Sequence, residues 1–255
     1  MTLFSATDVS IIVPFYNERG NIERLVRQIE ISFKDVNHEL ILVDDGSTDG
    51  SSDTLQAFGN EAIKLVILDR NYGQSAAIKA GLDVCRGYKI ALLDGDMQND
   101  PQDLLQMLTL VDAGKADIVQ GYRQNRHDSV GKRLPSYCAN RLIKFVFGFP
   151  CNDIGCAVKV FKRDVLESMV YFNGFHRYIS LIAFLKGSKV TEKKVNHASR
   201  NIGKSKYGIS RIFSVVYHLF ALRVNPELLA SPLAYSVADR ENEEELVMEA
   251  VAVSA

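Results

Sequence analysis

The chain has 255 residues, of which 47% are hydrophobic and 24% charged, and its formal net charge is −1. This composition is that of an ordinary globular protein and excludes wholesale disorder, while the length suits one large domain with or without appendages. A charge near zero argues against general nucleic-acid binding, so basic clusters are interpreted locally. The four cysteines lack Cys-x-x-Cys spacing, which argues against a zinc site or a disulfide framework and favours a reduced, cytoplasmic setting.

The two ends of the chain carry no recognisable membrane signal. Residues 1–8 lack the basic and apolar regions of a signal peptide, and no apolar run approaches the ~20 residues that span a bilayer. If membranes matter, we expect the protein to lie on their surface. We predict that residues 1–224 form the domain and that the acidic residues 225–255 form a flexible tail.

The first half of the chain alternates between strand-like and helix-like hydrophobic patterns. Strands are predicted at residues 9–13, 40–43, 63–68 and 117–120. A further strand is predicted in the apolar run that opens the stretch of residues 90–98. Helices are predicted at residues 22–33, 75–85 and 102–111, the first capped by Asn21. This alternation predicts a mostly parallel sheet with helices on both faces, an α/β fold of Rossmann-like type.

The second half begins with a basic run that could hold phosphate or form a solvated loop: Arg123, Arg126, His127, Lys132 and Arg133. An amphipathic helix is predicted at residues 136–147, a strand at 153–161, a helix at 177–186 and a strand at 189–195. Asp153 would stand at the start of its strand, facing the cleft or forming a turn. Residues 199–207 carry three cations and suit a loop that closes over a diphosphate. The apolar helix 209–223 would lie at a membrane interface or pack on the domain.

Polar clusters follow three of the predicted strands. They are Tyr16-Asn17-Glu18, Asp44-Asp45 and Asp94-Gly95-Asp96. Because ligands of such sheets bind beyond the carboxyl ends of the strands, the clusters are expected to converge on one rim as a nucleotide and metal site. No Gly-x-Gly-x-x-Gly or Gly-Lys-Ser/Thr loop is present, which disfavours a dinucleotide oxidoreductase or an ATPase.

The third cluster has the chemistry of a metal site. Side chains alternate along an extended chain, so Asp94 and Asp96 can point the same way, and Gln98 continues that face if the chain stays extended. Mg²⁺ and Mn²⁺ prefer such oxygen ligands and share them with a substrate diphosphate. The alternative is a strand followed by a polar turn.

Seven motifs occur in order along residues 9–220: Pro14-Phe15-Tyr16-Asn17-Glu18, Val43-Asp44-Asp45-Gly46-Ser47-Thr48-Asp49, Asn71-Tyr72-Gly73-Gln74, Asp94-Gly95-Asp96-Met97-Gln98, Gly121-Tyr122-Arg123, Asp153-Ile154-Gly155-Cys156, and Arg200 through Gly203 to Ser205-Lys206-Tyr207. In this respect the chain resembles the family 2 inverting glycosyltransferases of the polyprenyl-phosphate group, which have the GT-A fold. Residues 123–129 are especially similar to the undecaprenyl-phosphate 4-deoxy-4-formamido-arabinose transferases.

The resemblance implies a role for each motif. The nucleotide donor would be bound by Pro14, Tyr16, Glu18, Val43, Asp45, Asp94, Gly95 and Arg123. Asp94, Asp96 and Gln98 would hold Mg²⁺ or Mn²⁺. Arg200 and Lys206 would act in catalysis, together with Arg123 neutralising the phosphates of donor and acceptor.

The implied reaction is direct displacement by a phosphate oxygen of a polyprenyl phosphate on the anomeric carbon of a nucleotide sugar, with UDP-sugars favoured. An anionic acceptor needs no strong general base. Asp153 matches the position of a candidate base in the wider family, and it would act as that base or instead orient the acceptor. The implied location is the cytoplasmic face of a membrane, with a membrane-protein partner or a homo-oligomer possible. Bacterial members often continue into two transmembrane helices, whereas an acidic tail stands here.

Three other functions remain open at this stage. A soluble family 2 transferase acting on a glycan hydroxyl would need Asp153 as a firm general base. A nucleotide-sugar-binding subunit without turnover would bind donor and metal only. A nucleotidyltransferase is a more distant alternative, because its glycine-rich activation loop is absent near the first strand.

Overall fold

The computed structural model describes residues 8–56, 63–123, 130–198, 211–231 and 233–238. The strands found there form one sheet in the order β3-β2-β1-β4-β6-β5-β7. Their bounds are β1 Val9–Phe15, β2 His38–Asp44, β3 Ile63–Ile67, β4 Lys89–Leu92, β5 Ile118–Arg123, β6 Lys159–Lys162 and β7 Val190–Val195.

The helices alternate with these strands along much of the chain. They are α1 Ile22–Phe33, α2 Ser51–Gln56, α3 Gln74–Val84, α4 Pro101–Asp112, α5 Val130–Phe147, α6 Ile179–Leu185 and α7 Arg211–Val224. Short 3-10 helices cover Arg163–Ser168, Phe175–Arg177 and Pro226–Leu229. Within the described ranges, no helix is both long enough and apolar enough to cross a bilayer.

The prediction of a mostly parallel sheet is confirmed. Strands β3, β2, β1 and β4 pair in parallel, and β5 pairs in parallel with β7. The exception is β6, which pairs antiparallel with both β4 and β5. Hydrophobic alternation predicts that a strand exists but not the direction in which it runs, so the reversal of β6 was not predicted.

The helices cover both faces of the sheet, as predicted. Alternate strand residues point to opposite faces, so Ile12 of β1 packs in one core with α3 and α6, while neighbouring Ile11 packs in the other with α1 and α4. Both side chains are fully buried. The parallel strands therefore read as continuous apolar runs because neither face meets water.

Two details at the end of β1 differ from the prediction. Pro14 lies inside β1 rather than ending it, since the pairing with β4 stops at Ile12 and Leu92 and a missing N–H beyond that point costs no ladder bond. Asn21 does not cap α1 with its side chain. Its amide Nδ2 instead donates to Glu18 Oε2 over 2.7 Å.

Two predictions for the second half are also wrong in part. The strand predicted from Asp153 begins only at Lys159, because residues 153–158 form a turn and an irregular segment. Part of the predicted tail contacts the domain among the described residues 225–231 and 233–238. Tyr235 donates to Asp83, and the Ala238 N–H donates to Ile67 O. Residues 239–255 lie outside the described residues.

A buried polar network closes the edge of the sheet where β1 and β2 begin. Ser10 Oγ donates to Glu39, and the Lys64 ammonium donates to the same carboxylate over 2.6 Å. Burial disfavours the charge on Glu39, but these bonds and one from the Arg86 N–H outweigh it and hold the pKa of the carboxyl below its usual value. The network joins three neighbouring strands far from their carboxyl ends.

The packing of α3 on the sheet predicts that Gly81→Ala destabilises the protein by about 1–3 kcal/mol through overpacking. A methyl group at Gly81 would stand 2.5 Å from Ile12 Cγ2 and 3.2 Å from Val43 Cγ2, both buried. Denaturant unfolding measures the change. Gln106→Ala on the exposed side of α4 is the control and is expected to be nearly neutral. An equal effect of both changes would contradict the prediction.

Candidate active site

The loops after β1 and β2 are joined at the carboxyl edge of the sheet. The Asn17 N–H donates to Ser47 Oγ over 2.8 Å, and the Thr48 N–H donates back to Asn17 Oδ1 over 2.9 Å. The Glu18 N–H donates to Ser51 Oγ over 3.0 Å. These bonds satisfy loop amides that would otherwise be unpaired, so the two polar clusters are held together at the rim.

Asp45 joins the second loop to the loop after β3. Its buried carboxylate accepts from the N–H groups of Tyr72 and Gly73, at 2.8 and 2.9 Å for the shortest contacts. Gly46 is left-handed at φ +70°, and a Cβ there would lie 2.3 Å from the Arg70 carbonyl carbon. Asp45 therefore positions the Tyr72–Gly73 loop. Its predicted contact with a nucleoside remains a prediction.

The Asp94-Gly95-Asp96 cluster lies beyond β4 in a tight turn. The condition under which Gln98 would continue the face of the two aspartates is not met, because Met97 has φ +61° and Asp96 Oδ1 accepts from the Gln98 N–H over 3.2 Å. Asp94 Oδ1 accepts from the Gln74 amide over 2.8 Å. The turn thus presents both carboxylates, each half-buried, at the rim.

Gly95 lets this turn lie directly on the end of β1. A Cβ at Gly95 would stand 2.7 Å from Phe15 Cβ and 3.2 Å from the Pro14 carbonyl oxygen. Any side chain there would push the two aspartates away from the β1 loop. This close approach explains why a glycine separates the carboxylates.

Gln98 connects the acidic turn to the segment after β7. Its amide Nε2 donates to Ala198 O over 3.0 Å, and its carbonyl oxygen O accepts from the Ala198 N–H over 2.8 Å. Asp103 of α4 accepts from the Asn196 N–H over 2.7 Å. The predicted catalytic residues Arg200 and Lys206 follow this segment and lie outside the described residues.

Arg123 and Asp153 form a bidentate ion pair. Arg123 Nε and Nη2 donate to the two carboxylate oxygens over 2.7 and 2.8 Å. The Asp153 side chain is 4% exposed and that of Arg123 is 15% exposed. The structure therefore brings together two residues that were predicted separately, one for phosphate and one as a base or acceptor-orienting group.

The motifs around this pair pack on each other. A Cβ at Gly121 would stand 2.8 Å from Cys156 Sγ and 2.9 Å from Val158 O, so only glycine lets the turn of residues 153–156 lie on β5. A Cβ at Gly155 would stand 3.6 Å from Arg123 Nη2, so residue 155 lies directly beside the guanidinium. The contact between β5 and this turn thus explains why both motifs contain a glycine.

The acidic turn and the ion pair lie at the same edge of the sheet. Leu92 of β4 and Gln120 of β5 both lie opposite Lys159 of β6. Asp94 is two residues beyond that level and Arg123 is three. With β6 between them, the two strands are roughly 10 Å apart, which leaves room for a sugar diphosphate.

The other residues predicted to bind the nucleotide donor differ in their burial. Tyr16 is half-buried at the rim, and Glu18 is buried with its carboxylate bonded to Asn21. Pro14 and Val43 are buried within their strands, and the Val43 side chain belongs to the core. Only the backbone of Val43 is therefore placed to contact a nucleoside.

Three polar residues at the site were not predicted: Gln74, Gln120 and Lys159. Gln74 contacts Asp94, as described above. Gln120 and Lys159 are fully buried in β5 and β6, below the ion pair. A polar residue within a buried strand is the sequence signal that could have identified Gln120 and Lys159.

The residues of the acidic turn fit a divalent cation. Mg²⁺ and Mn²⁺ sites commonly use one or two carboxylates, with substrate phosphates and water completing the shell. Asp94 and Asp96 supply two such carboxylates, whereas the Gln98 amide donates to Ala198 O and its role as a metal ligand remains a prediction. Among the described residues, no group of three or more His, Cys, Asp or Glu side chains forms a metal site. A cation at the acidic turn would therefore depend on substrate phosphates and water to complete its shell.

Solved structures with the same fold bind nucleotide sugars. Glucosyl-3-phosphoglycerate synthase from Mycobacterium tuberculosis, in complex with Mn²⁺ and UDP-glucose, superposes with a TM-score of 0.66 at 16% identity, covering 92% of this chain and 87% of that one. The complex of the same enzyme with Mn²⁺, UDP and glucosyl-3-phosphoglycerate gives a TM-score of 0.68 at 16% identity, with coverages of 92% and 88%. At this identity the likeness shows the GT-A fold alone.

Closer relatives are known from sequence. Dodecaprenyl-phosphate galacturonate synthase of Rhizobium johnstonii is 37% identical over 223 residues, covering 84% of this chain and 66% of that protein. Undecaprenyl-phosphate 4-deoxy-4-formamido-L-arabinose transferase of Pseudomonas syringae pv. syringae is 36% identical over 236 residues, covering 90% of this chain and 70% of that protein. The chain thus spans about two thirds of the length of these relatives.

The family model for Glycosyl transferase family 2 matches residues 10–170. That range contains both the acidic turn and the Arg123–Asp153 pair. With this match and relatives above one third identity, the chain belongs to glycosyl transferase family 2.

Proposed function

We propose that the protein transfers a sugar from a nucleotide sugar, with UDP-sugars as the leading class, to a polyprenyl phosphate, with inversion at the anomeric carbon. The relatives named above act, by their names, on dodecaprenyl or undecaprenyl phosphate. The rim at Tyr16, Glu18 and Asp45 supports a donor nucleotide on one side. The Arg123–Asp153 pair supports the acceptor on the other.

The observation that carries the choice of acceptor is the bidentate bond between Arg123 and Asp153. A hydroxyl acceptor needs a base that removes its proton, whereas both Asp153 oxygens already accept hydrogen bonds from a guanidinium. A phosphate acceptor is anionic near neutral pH and needs no such base. Asp153 then holds Arg123 in place, and Arg123 neutralises the incoming phosphate.

The donor side is proposed to hold Mg²⁺ or Mn²⁺ through Asp94 and Asp96, with Gln98 as a further oxygen ligand. A divalent cation there supplies charge neutralisation for the departing diphosphate. The protein fixes these oxygens in advance, because Gln74 orients Asp94 and the close contact of Gly95 with Phe15 sets the turn. Structural neighbours bound to Mn²⁺ and UDP-glucose support this use of the fold.

Arg200 and Lys206 keep the role that the resemblance implies. They would neutralise the leaving diphosphate as negative charge moves onto it. The described residues before them, Asn196 and Ala198, are bonded to Asp103 and Gln98.

The proposed function predicts transfer of sugar from radiolabelled UDP-sugars to undecaprenyl or dolichyl phosphate, recovered in the organic phase. Oligosaccharide acceptors in the same assay provide the comparison and are expected to give no product. GDP-sugars are included to test the donor class. Transfer to an oligosaccharide, with none to either lipid phosphate, would contradict the proposal. Metal-dependent donor binding without any turnover would instead identify a binding subunit.

The metal assignment predicts that Asp96→Ala lowers metal-dependent turnover about 100-fold or more, because transition-state charge loses its stabilisation. The half-buried turn carries little of the core, so the unfolding midpoint is expected to change little. Asp112→Ala removes a comparable carboxylate at the opposite end of α4, where it pairs with Lys89, and should retain turnover. Unchanged turnover of Asp96→Ala at saturating metal would refute the assignment.

We also propose that two helices rest on the cytoplasmic face of a membrane. The end of α5 exposes Leu142, Phe145 and Val146, with Phe145 at 89%. One side of α7 exposes Tyr217, Phe220 and Val224, at the i, i+3, i+7 spacing of a helix face. Exposed apolar stripes of this kind favour an interface between water and lipid. They correspond to the interfacial helices predicted from the sequence.

Membrane contact predicts that the double change Phe145→Asp and Phe220→Asp weakens binding to anionic lipid vesicles about 10-fold or more. The reason is that two aromatic side chains would no longer insert into the lipid. Co-sedimentation measures the bound fraction. Ile31→Asp on α1 is the control. Ile31 is an exposed apolar residue as well, at 71%, but it lies apart from both stripes. Equal losses in both proteins would count against the assignment.

A further inference from the structure

Three polar side chains are fully buried beneath the Arg123–Asp153 pair. Gln120 of β5 and Ser180 of α6 are 0% exposed, and Lys159 of β6 is 1% exposed. Polar groups in such positions destabilise a fold unless they are hydrogen-bonded. Apolar residues would fill the same space at lower cost, so the bonds that these three groups make indicate why they are polar.

The bonds converge on one turn. Gln120 Nε2 donates to Asp153 O over 3.1 Å and to Cys156 O over 3.0 Å. The Ser180 hydroxyl donates to Gln120 Oε1 over 2.6 Å, which fixes the orientation of the amide. The Lys159 ammonium donates to Cys156 O. Both carbonyls that bound the turn are therefore held from below.

Lys159 also places charge beneath the site. Burial lowers the pKa of its ammonium to about 8, against the opposing attraction of Cys156, Asp94 and Asp153. The carboxylates on both sides of the cleft thus act on the same buried group. Lys159 lies opposite Leu92 and Gln120 in the sheet, so it occupies the strand between the two halves of the site.

The position of the turn determines the position of the ion pair. The Cys156 N–H closes the turn on Asp153 O over 3.3 Å, and the Asp153 carboxylate holds both donor groups of Arg123. A movement of the two carbonyls would therefore move Asp153 and, with it, the guanidinium.

We propose that Gln120, Lys159 and Ser180 are positioning residues that hold the turn of residues 153–156 and thereby orient Arg123 toward the acceptor phosphate. The orientation of Arg123 is a property of the fold and is measurable without turnover. Its kinetic consequence rests on the proposed function. Residues of this kind raise the turnover number through alignment, where misplacement by about 1 Å can cost about 100-fold.

The chain offers matched controls at the other end of the sheet. Ser10 is also 0% exposed and also donates to a buried side-chain oxygen, that of Glu39. Lys64 donates to the same carboxylate. Ser10→Ala therefore removes a comparably buried hydroxyl, and Lys64→Met removes a half-buried ammonium, from a network that lies away from the site.

The first test observes Arg123 directly. In a ¹⁵N–¹H correlation spectrum of arginine Nε groups, Arg123→Lys assigns the Arg123 signal by its loss. Ser180→Ala and Lys159→Met are expected to shift that signal by more than its linewidth, whereas Ser10→Ala and Lys64→Met leave it in place. An unmoved signal in folded Ser180→Ala, the milder change, would overturn the proposal.

The second test separates turnover from binding in the intact chain. Ser180→Ala is expected to lower kcat for transfer to undecaprenyl phosphate about 10-fold, with the Kd for UDP and Mn²⁺ within about 2-fold of wild type. Ser10→Ala should lower Tm by a similar amount and leave kcat unchanged. Equal loss of kcat in both serine variants would overturn the positioning role. A wild-type protein without transfer would refute the proposed function, and the Arg123 signal alone would then decide the inference.

Discussion

The reversed direction of β6 sets the geometry of the site. An antiparallel strand between β4 and β5 begins where its neighbours end, so the turn that precedes β6 returns to the carboxyl edge of the sheet. Asp153 therefore meets Arg123 at the rim although it lies six positions before the start of the strand. The same strand keeps Asp94 and Arg123 roughly 10 Å apart. A fully parallel sheet would carry Asp153 to the opposite edge.

The rest of the rim is organised by hydrogen bonds between loops. Asp45, Gln74 and Gln98 each connect a loop after one strand to a neighbouring segment, and the Asn17–Ser47 contacts do the same for the loops after β1 and β2. A cleft built in this way is largely formed before a substrate arrives, which reduces the ordering cost of binding. The acidic turn lies on the proposed donor side, and the Arg123–Asp153 ion pair lies on the other.

Much of the fold could be predicted from the sequence because its strands are continuous apolar runs and its helices have one apolar face. The convergence of three clusters followed from strand direction alone. The direction of β6, the bend at Met97 and the ion pair could not be predicted, because each depends on contacts between residues distant in the chain. Asp45 shows the same limit, since its motif suggested a nucleoside contact while its carboxylate holds the Tyr72–Gly73 loop. Gln120 and Lys159 lie in strands whose apolar pattern indicates only core, so the pattern does not reveal their role.

We propose that one site holds the donor diphosphate, through a divalent cation at Asp94 and Asp96, and the acceptor phosphate at Arg123. A crystal structure with Mn²⁺, UDP and a short-chain prenyl phosphate would test this arrangement. We expect the metal to be bound by both aspartates and the diphosphate, and the prenyl phosphate to be bonded to Arg123 while Asp153 keeps its ion pair. A prenyl phosphate bound away from Arg123, or a metal bound without Asp94 and Asp96, would contradict it.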